Sequence, residues 1–199
     1  SPDSDYRLRA LWALHVTKST ETRMLKKALS DRDEYVRAWA IQLLCEDGAP
    51  SGDITSMMVR MAEKDKSPVV RLYLASAIQR VDGETGWRLA EALSHHAEDE
   101  NDHNLPKMIW FGFEKLVKEN PKRALEIASD SKLSLISRFT ARRAVDADAL
   151  VELADAIAKQ PANVDDLLRG MLAGMEGRID LEPPSNWEKT VNKLQRGKA

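Results

Sequence analysis

Apolar residues along this chain recur at the spacing of a helix face, not at the alternation of a strand. Val36, Ala40, Leu43 and Leu44 fall at i, i+4, i+7 and i+8, and Val70, Leu74, Ala77 and Ile78 repeat the pattern. Ile109, Phe113, Leu116 and Val117 repeat it again. Further stripes run through Leu150, Leu153, Ala154 and Ile157, and through Leu167, Leu168, Met171, Leu172 and Met175. Each stripe is one face of an amphipathic helix, ready to be buried. Start signals punctuate the stripes. Ser67 precedes Pro68, Asn120 precedes Pro121, and Asn163 stands three residues before Asp166, which places acceptors, N1 prolines and a carboxylate where the first-turn amides need them. The pattern predicts an all-α chain with helices over 4–16, 20–30, 33–46, 52–64, 68–81, 84–95, 104–118, 121–129, 133–145, 147–159, 163–176 and 184–195.

These helices come as short pairs, and two of the pairs share wording. Asp31–Ala40 (DRDEYVRAWA) aligns without a gap on Asp65–Leu74 (DKSPVVRLYL), so that Asp, Val, Arg and an aromatic recur after 34 residues. A period of that size means stacked helical hairpins, none of which buries its apolar face alone. The pattern resembles the HEAT repeat. That resemblance implies a HEAT-like α-solenoid, a right-handed superhelix of antiparallel helix pairs, forming one domain over 1–199. It also implies a ladder between neighbouring repeats, built from Asp31 with Arg37 and Asp65 with Arg71. Later pairs keep the layout but lose the Asp and Arg signature; Trp110 and Arg138 fall in their second helices.

The runs Val36–Leu44 and Val70–Arg80, together with Asp102–Trp110, are similar to the helical-repeat segment of large planctomycete-type membrane-bound dehydrogenases. In that family the segment lies between an N-terminal β-propeller and a C-terminal c-type cytochrome module carrying CxxCH. The resemblance implies an exported, periplasmic or membrane-associated redox parent, with this segment as helical connector or docking surface. It places catalytic residues and cofactors in the flanking modules, none in this segment. The chain opens at Ser1 without Met, inside continuing structure, as a piece of a longer protein would.

Composition narrows the chemistry. With 30 Lys plus Arg against 32 Asp plus Glu, the net charge is −2, and 14 basic and 17 acidic residues up to position 100 are followed by 16 and 15. Neither half has the bias of a polyanion binder. The single cysteine, Cys45, excludes an internal disulfide, a CxxC pair and a Cys-rich zinc site within the chain. No apolar run approaches the roughly 18 residues of a membrane span, so direct membrane insertion is not expected. Ser1–Asp5 carry neither the basic nor the apolar region of a signal peptide.

Several constellations are candidates for chemistry. His95, His96, Asp99, Asp102 and His103 sit together between two helices. Their side chains are competent metal ligands, but no HExxH spacing is present, and a solvated loop with Asp102 capping the next helix is the favoured reading. Arg37 and Arg71 have forks suited to anions, although the ladder claims them first. Residues 121–143 hold Lys122, Arg123, Lys132, Arg138, Arg142 and Arg143 against Glu126 and Asp130, a local excess of basic charge. Trp39 and Tyr73 occupy equivalent repeat positions and predict an aromatic row. Cys45 reads as a small buried thiol, with no motif to activate it. There is no Walker loop, GxGxxG after a strand or GxSxG elbow.

These features predict a non-catalytic scaffold for a protein partner or neighbouring domains, with its oligomeric state open. The candidate binding surface is Arg37, Trp39, Arg71, Tyr73, Asn104, Lys107, Trp110, Arg138, Arg142 and Arg143. The alternative is a nucleic-acid-binding enzyme of the HEAT-like DNA glycosylase type, which needs a positive groove that a pI near 6.1 does not favour. No metal and no nucleic acid are expected as ligands.

Overall fold

Several helix starts in this protein are set by side chains that satisfy the first-turn amides. Asp33 accepts from the N–H groups of Tyr35 and Val36 at 3.0 and 3.1 Å, Ser67 from Val70 at 3.3 Å, and Asn120 from Arg123 at 3.1 Å. Asn120 also ends the preceding helix, and Pro121 behind it prevents the two helices from fusing. The computed structural model describes residues 3–50, 52–179 and 181–196. Among these are α1 (Ser4–Val16), α2 (Thr22–Ala28), α3 (Glu34–Leu44), α4 (Gly52–Lys64), α5 (Pro68–Ala77) and α6 (Gly83–Ser94). A 3-10 turn (Ala97–Asp99) is followed by α7 (Leu105–Glu119), α8 (Pro121–Asp130), α9 (Ser134–Asp146), α10 (Leu150–Ala158), α11 (Val164–Met175) and α12 (Trp187–Arg196). The described residues contain no strand. All twelve expected helices are present, and the protein is all-α.

The chain forms two compact units, residues 1–93 and 94–199. In the first, α1, α3 and α5 pack in sequence as one layer, with α2 against α3 and α4 against α5. The stripes of α3 and α5 supply the interior: Val36, Ala40 and Ile41 are buried, as are Val70, Leu74, Ala77 and Ile78. Leu11, Leu25 and Leu43 join them from three helices. In the second unit α7, α9 and α11 form one layer, while α8, α10 and α12 form the other. Leu125, Ala144, Val145, Leu153, Ile157, Leu167 and Met171 meet between the layers. Within each unit this is the layered helix-pair packing of an α-solenoid.

The closest approach in the second unit is between α9 and α11. A Cβ added at Gly170 would lie 2.1 Å from the Arg138 carbonyl oxygen and 2.8 Å from the Ala141 Cβ. One at Gly174 would lie 2.8 Å from the Val145 Cβ. Two glycines four residues apart put one bare stripe on α11, into which α9 settles.

Three expectations change. Asn163 stands at the N-cap of α11 but gives no side-chain cap. Its amide instead donates to the carbonyls of Ala128 and Ser131 at 2.7 and 3.2 Å and to Ser137 Oγ at 2.8 Å, tying α11 to the turn between α8 and α9. Leu172 is 72% exposed, because Gly170, Met171 and Gly174 define the buried side of α11 and Leu172 falls opposite. Asp99, expected in a solvated loop, is buried.

Candidate functional site

The ladder occupies the first unit. Arg37 forks onto the carboxylate of Asp65, with Nε and Nη2 each donating at 2.8 Å, while its Nη1 donates to the carbonyls of Asp31 at 2.9 Å and Arg32 at 3.2 Å. The Asp31 carboxylate is taken by Arg7, whose Nε and Nη2 donate at 2.9 and 2.8 Å. These two rungs therefore run from Arg7 and from Arg37 to the aspartate of the following repeat. The six-residue spacing expected to pair Asp31 with Arg37 is bridged through a backbone carbonyl instead. Arg71 repeats that backbone contact, donating Nη1 to the Asp65 carbonyl at 2.9 Å. Each aspartate also accepts a turn amide two residues on, Asp33 and Ser67 respectively. Partial burial of the Asp31 carboxylate works to raise its pKa; the Arg7 hydrogen bonds, the Asp33 N–H and the charges of Arg7 and Arg32 outweigh it and hold the group below its ordinary value.

This arrangement removes two candidates from the surface. Arg71 is 2% exposed, and Arg37 is engaged on all three nitrogens, so neither presents a guanidinium to a ligand. Beside the ladder runs an aromatic row. Trp12 meets Trp39 edge-on at 5.0 Å, and Trp39 meets Tyr73 at 6.2 Å. Such ring pairs contribute about 0.5–1.5 kcal/mol each beyond the area they bury. Trp39 and Tyr73 are half-buried in this packing.

The second unit gathers the other candidates. Trp110 and Glu114 on α7 face Phe139, Arg142, Arg143 and Asp146 on α9 across a cleft of about 220 Å³. Trp110 and Phe139 meet edge to face at 5.5 Å and 82°. Behind them Phe113 packs on Trp110 at 6.4 Å and fixes the indole. Arg143 lies between two carboxylates, 3.3 Å from Glu114 and 3.9 Å from Asp146. Its Nε is shielded from solvent and has no acceptor, so the guanidinium is only partly satisfied. Arg142 is exposed and meets no counter-ion among the described residues. The lining offers ring edges, guanidinium donors and carboxylates.

Of the remaining candidates, Arg138 lies one turn before Arg142 and pairs loosely with Asp166 of α11 at 3.8 Å. Lys107 and Asn104 are exposed at the start of α7, outside the cleft. The basic segment divides: Lys122 and Arg123 belong to α8 in the other layer, Lys132 to the turn, and Arg138, Arg142 and Arg143 to α9. In the histidine cluster, His96 Nδ1 lies 2.8 Å from Glu98, His95 and His103 are exposed, and Asp102 accepts from the amides of Asn104 and Leu105 at 2.8 and 2.7 Å. Among the described residues no three His, Cys, Asp or Glu are grouped to hold one metal ion. Burial pushes the Cys45 thiol up to about 11, against a small opposing effect of Arg80. Sequence reasoning missed Arg7, Glu114, Phe139 and Asp146. The last three were signalled by four-residue steps, 110 to 114, 139 to 143 and 142 to 146, which place each pair on one helix face.

The fold and the rungs define an all-α protein of stacked helix pairs. A family model described as HEAT repeats matches residues 22–105, from the start of α2 to the start of α7, a stretch that contains Arg37 and both aspartates of the ladder. Neither a curated protein nor a solved structure gives a match. No helix among the described residues is long and apolar enough to cross a membrane.

Proposed function

We propose that this chain is a non-catalytic scaffold that holds a protein partner, or neighbouring domains of its own parent protein, against its helix faces. The observation that carries this reading is the α7–α9 cleft, where an edge-to-face aromatic pair and an uncompensated arginine are presented together. Aromatic and arginine side chains in such settings are the usual anchors of protein interfaces. The HEAT-repeat match over residues 22–105 supports the same reading.

The similarity of Val36–Leu44, Val70–Arg80 and Asp102–Trp110 to planctomycete-type membrane-bound dehydrogenases supports a more specific role. In it the segment connects a β-propeller to a c-type cytochrome module in an exported or membrane-associated redox protein, and the flanking modules hold the cofactors. Reading the coding region on both sides tests this. Propeller repeats upstream and CxxCH downstream are expected; a free-standing frame ending near these termini would overturn the parent. The scaffold reading is tested by mixing the chain with separately produced flanking domains and measuring association by calorimetry. Saturable binding is expected, and its absence, with duplex DNA bound instead in a salt-dependent manner, would favour the nucleic-acid alternative.

A further inference from the structure

We infer that the α7–α9 cleft takes an acidic segment of a protein partner, with one carboxylate on Arg142 and an adjacent aromatic side chain against Trp110 and Phe139. This rests on the scaffold reading and specifies the partner's chemistry. Three observations lead to it.

The first is size. At about 220 Å³ the cleft lies below the roughly 300–1,000 Å³ of sites that enclose a small molecule. It suits one large side chain. The second is the apolar wall. Phe139 is 39% exposed although it already packs edge-on to the nearly buried Trp110, so the ring presents a free face beside a rigid neighbour. An inserted ring would complete a cluster with centroid spacings of the kind already seen between Trp110 and Phe113.

The third is charge. Glu114 and Asp146 are both turned to Arg143, which leaves Arg142 as the charge in the lining without a counter-ion among the described residues. Along their whole length α7 and α9 carry six basic residues, Lys107, Lys115, Lys118, Arg138, Arg142 and Arg143, against three acidic ones, Glu114, Glu119 and Asp146, while the lining itself sets two arginines against two carboxylates. A carboxylate arriving here meets a planar fork suited to bidentate pairing. It also brings an acceptor close to the half-satisfied guanidinium of Arg143. A lysine-rich segment would find both carboxylates of the lining already engaged by Arg143.

The test uses the intact chain and fluorescein-labelled peptides of equal length carrying Glu-Phe-Glu, Glu-Ala-Glu or Lys-Phe-Lys at their centre, read by anisotropy. Glu-Phe-Glu is expected to bind saturably, with the other two weaker by about tenfold or more. Arg142→Glu and Phe139→Ala are each expected to weaken it by about tenfold or more, with circular dichroism unchanged. Lys122→Glu, which alters the same charge on α8 in the other layer, is expected to change affinity by less than about twofold. Lys-Phe-Lys binding as tightly as Glu-Phe-Glu, an equal loss in Lys122→Glu, or no saturable binding of Glu-Phe-Glu would each overturn the inference. Binding of flanking domains that persists in Arg142→Glu and Phe139→Ala would place the scaffold's contact elsewhere and leave only this assignment refuted.

Discussion

Arg37 has a structural duty that follows from counting its donors. Nε and Nη2 hold Asp65 while Nη1 holds two carbonyls of its own turn, so one side chain joins adjacent repeats and fixes the loop between them. Arg37→Met keeps the aliphatic stem but strands the Asp65 carboxylate, which is 9% exposed. Removing one partner from such a pair leaves an uncompensated charge, and a loss of about 2–3 kcal/mol is expected. Urea unfolding checks it as a lower midpoint at unchanged slope. Asp31 makes a separate prediction through pH. Its carboxyl is held below the ordinary value of about 3.9, so the unfolded chain binds the proton more readily. The stability Asp31 contributes is complete above that unfolded value and is lost as pH falls through the folded one. The gap in unfolding free energy between the protein and Asp31→Asn is thus expected to be flat near neutrality and to shrink below about pH 4. A gap that widens toward acid would contradict the assignment.

At the scale of elements, α9 and α11 define the tightest seam. Gly→Ala inside a helix ordinarily stabilises by up to about 1 kcal/mol. At Gly170 the new methyl would land on the Arg138 carbonyl, and the seam would have to open. A net loss of about 1–3 kcal/mol is expected for Gly170→Ala, and thermal unfolding against Gly83→Ala checks it, since a Cβ at Gly83 meets nothing within 4 Å. Helix number and order were legible in the sequence because stripes and starting caps are local signals. Helix ends were less so. Lys18, Asp148 and Gln160 adopt the left-handed conformation at φ near 55° just after α1, α9 and α10, without the glycine that usually announces it. The N-cap positions misled once, at Asn163, because a side chain that can cap can also reach across to another turn.

At the scale of the whole molecule, what was legible was periodic and what was not was paired through space. The 34-residue repeat pointed to the ladder, yet Arg7 was invisible because Arg7 and Arg37 are 30 residues apart, out of step with the period. Trp110, Arg142 and Arg143 were named as candidates; the step from 139 to 143 puts Phe139 on one helix face with Arg143, but its meeting with Trp110 depends on α7 and α9 packing side by side. The single thiol gives a way to watch the fold as a unit. Cys45 is 2% exposed, and its pKa near 11 leaves little thiolate at pH 8. Labelling by a thiol reagent is expected to proceed only through opening of the structure, and Arg37→Met is expected to accelerate it in step with its loss of stability. Rapid labelling of the native protein would show that the wall over Cys45 opens locally.

The glycine seam also sets how the cleft would behave as a receptor. The carbonyls of Arg138 and Arg142 sit against α11 with no side chain between, so the backbone bearing Phe139 and Arg142 has little room to shift or tilt. A wall held stiff before an encounter loses little further freedom when something docks on it. Ordering costs would then fall on the incoming segment, and variants that stiffen that segment in its bound shape would gain residence time without any new contact to this protein.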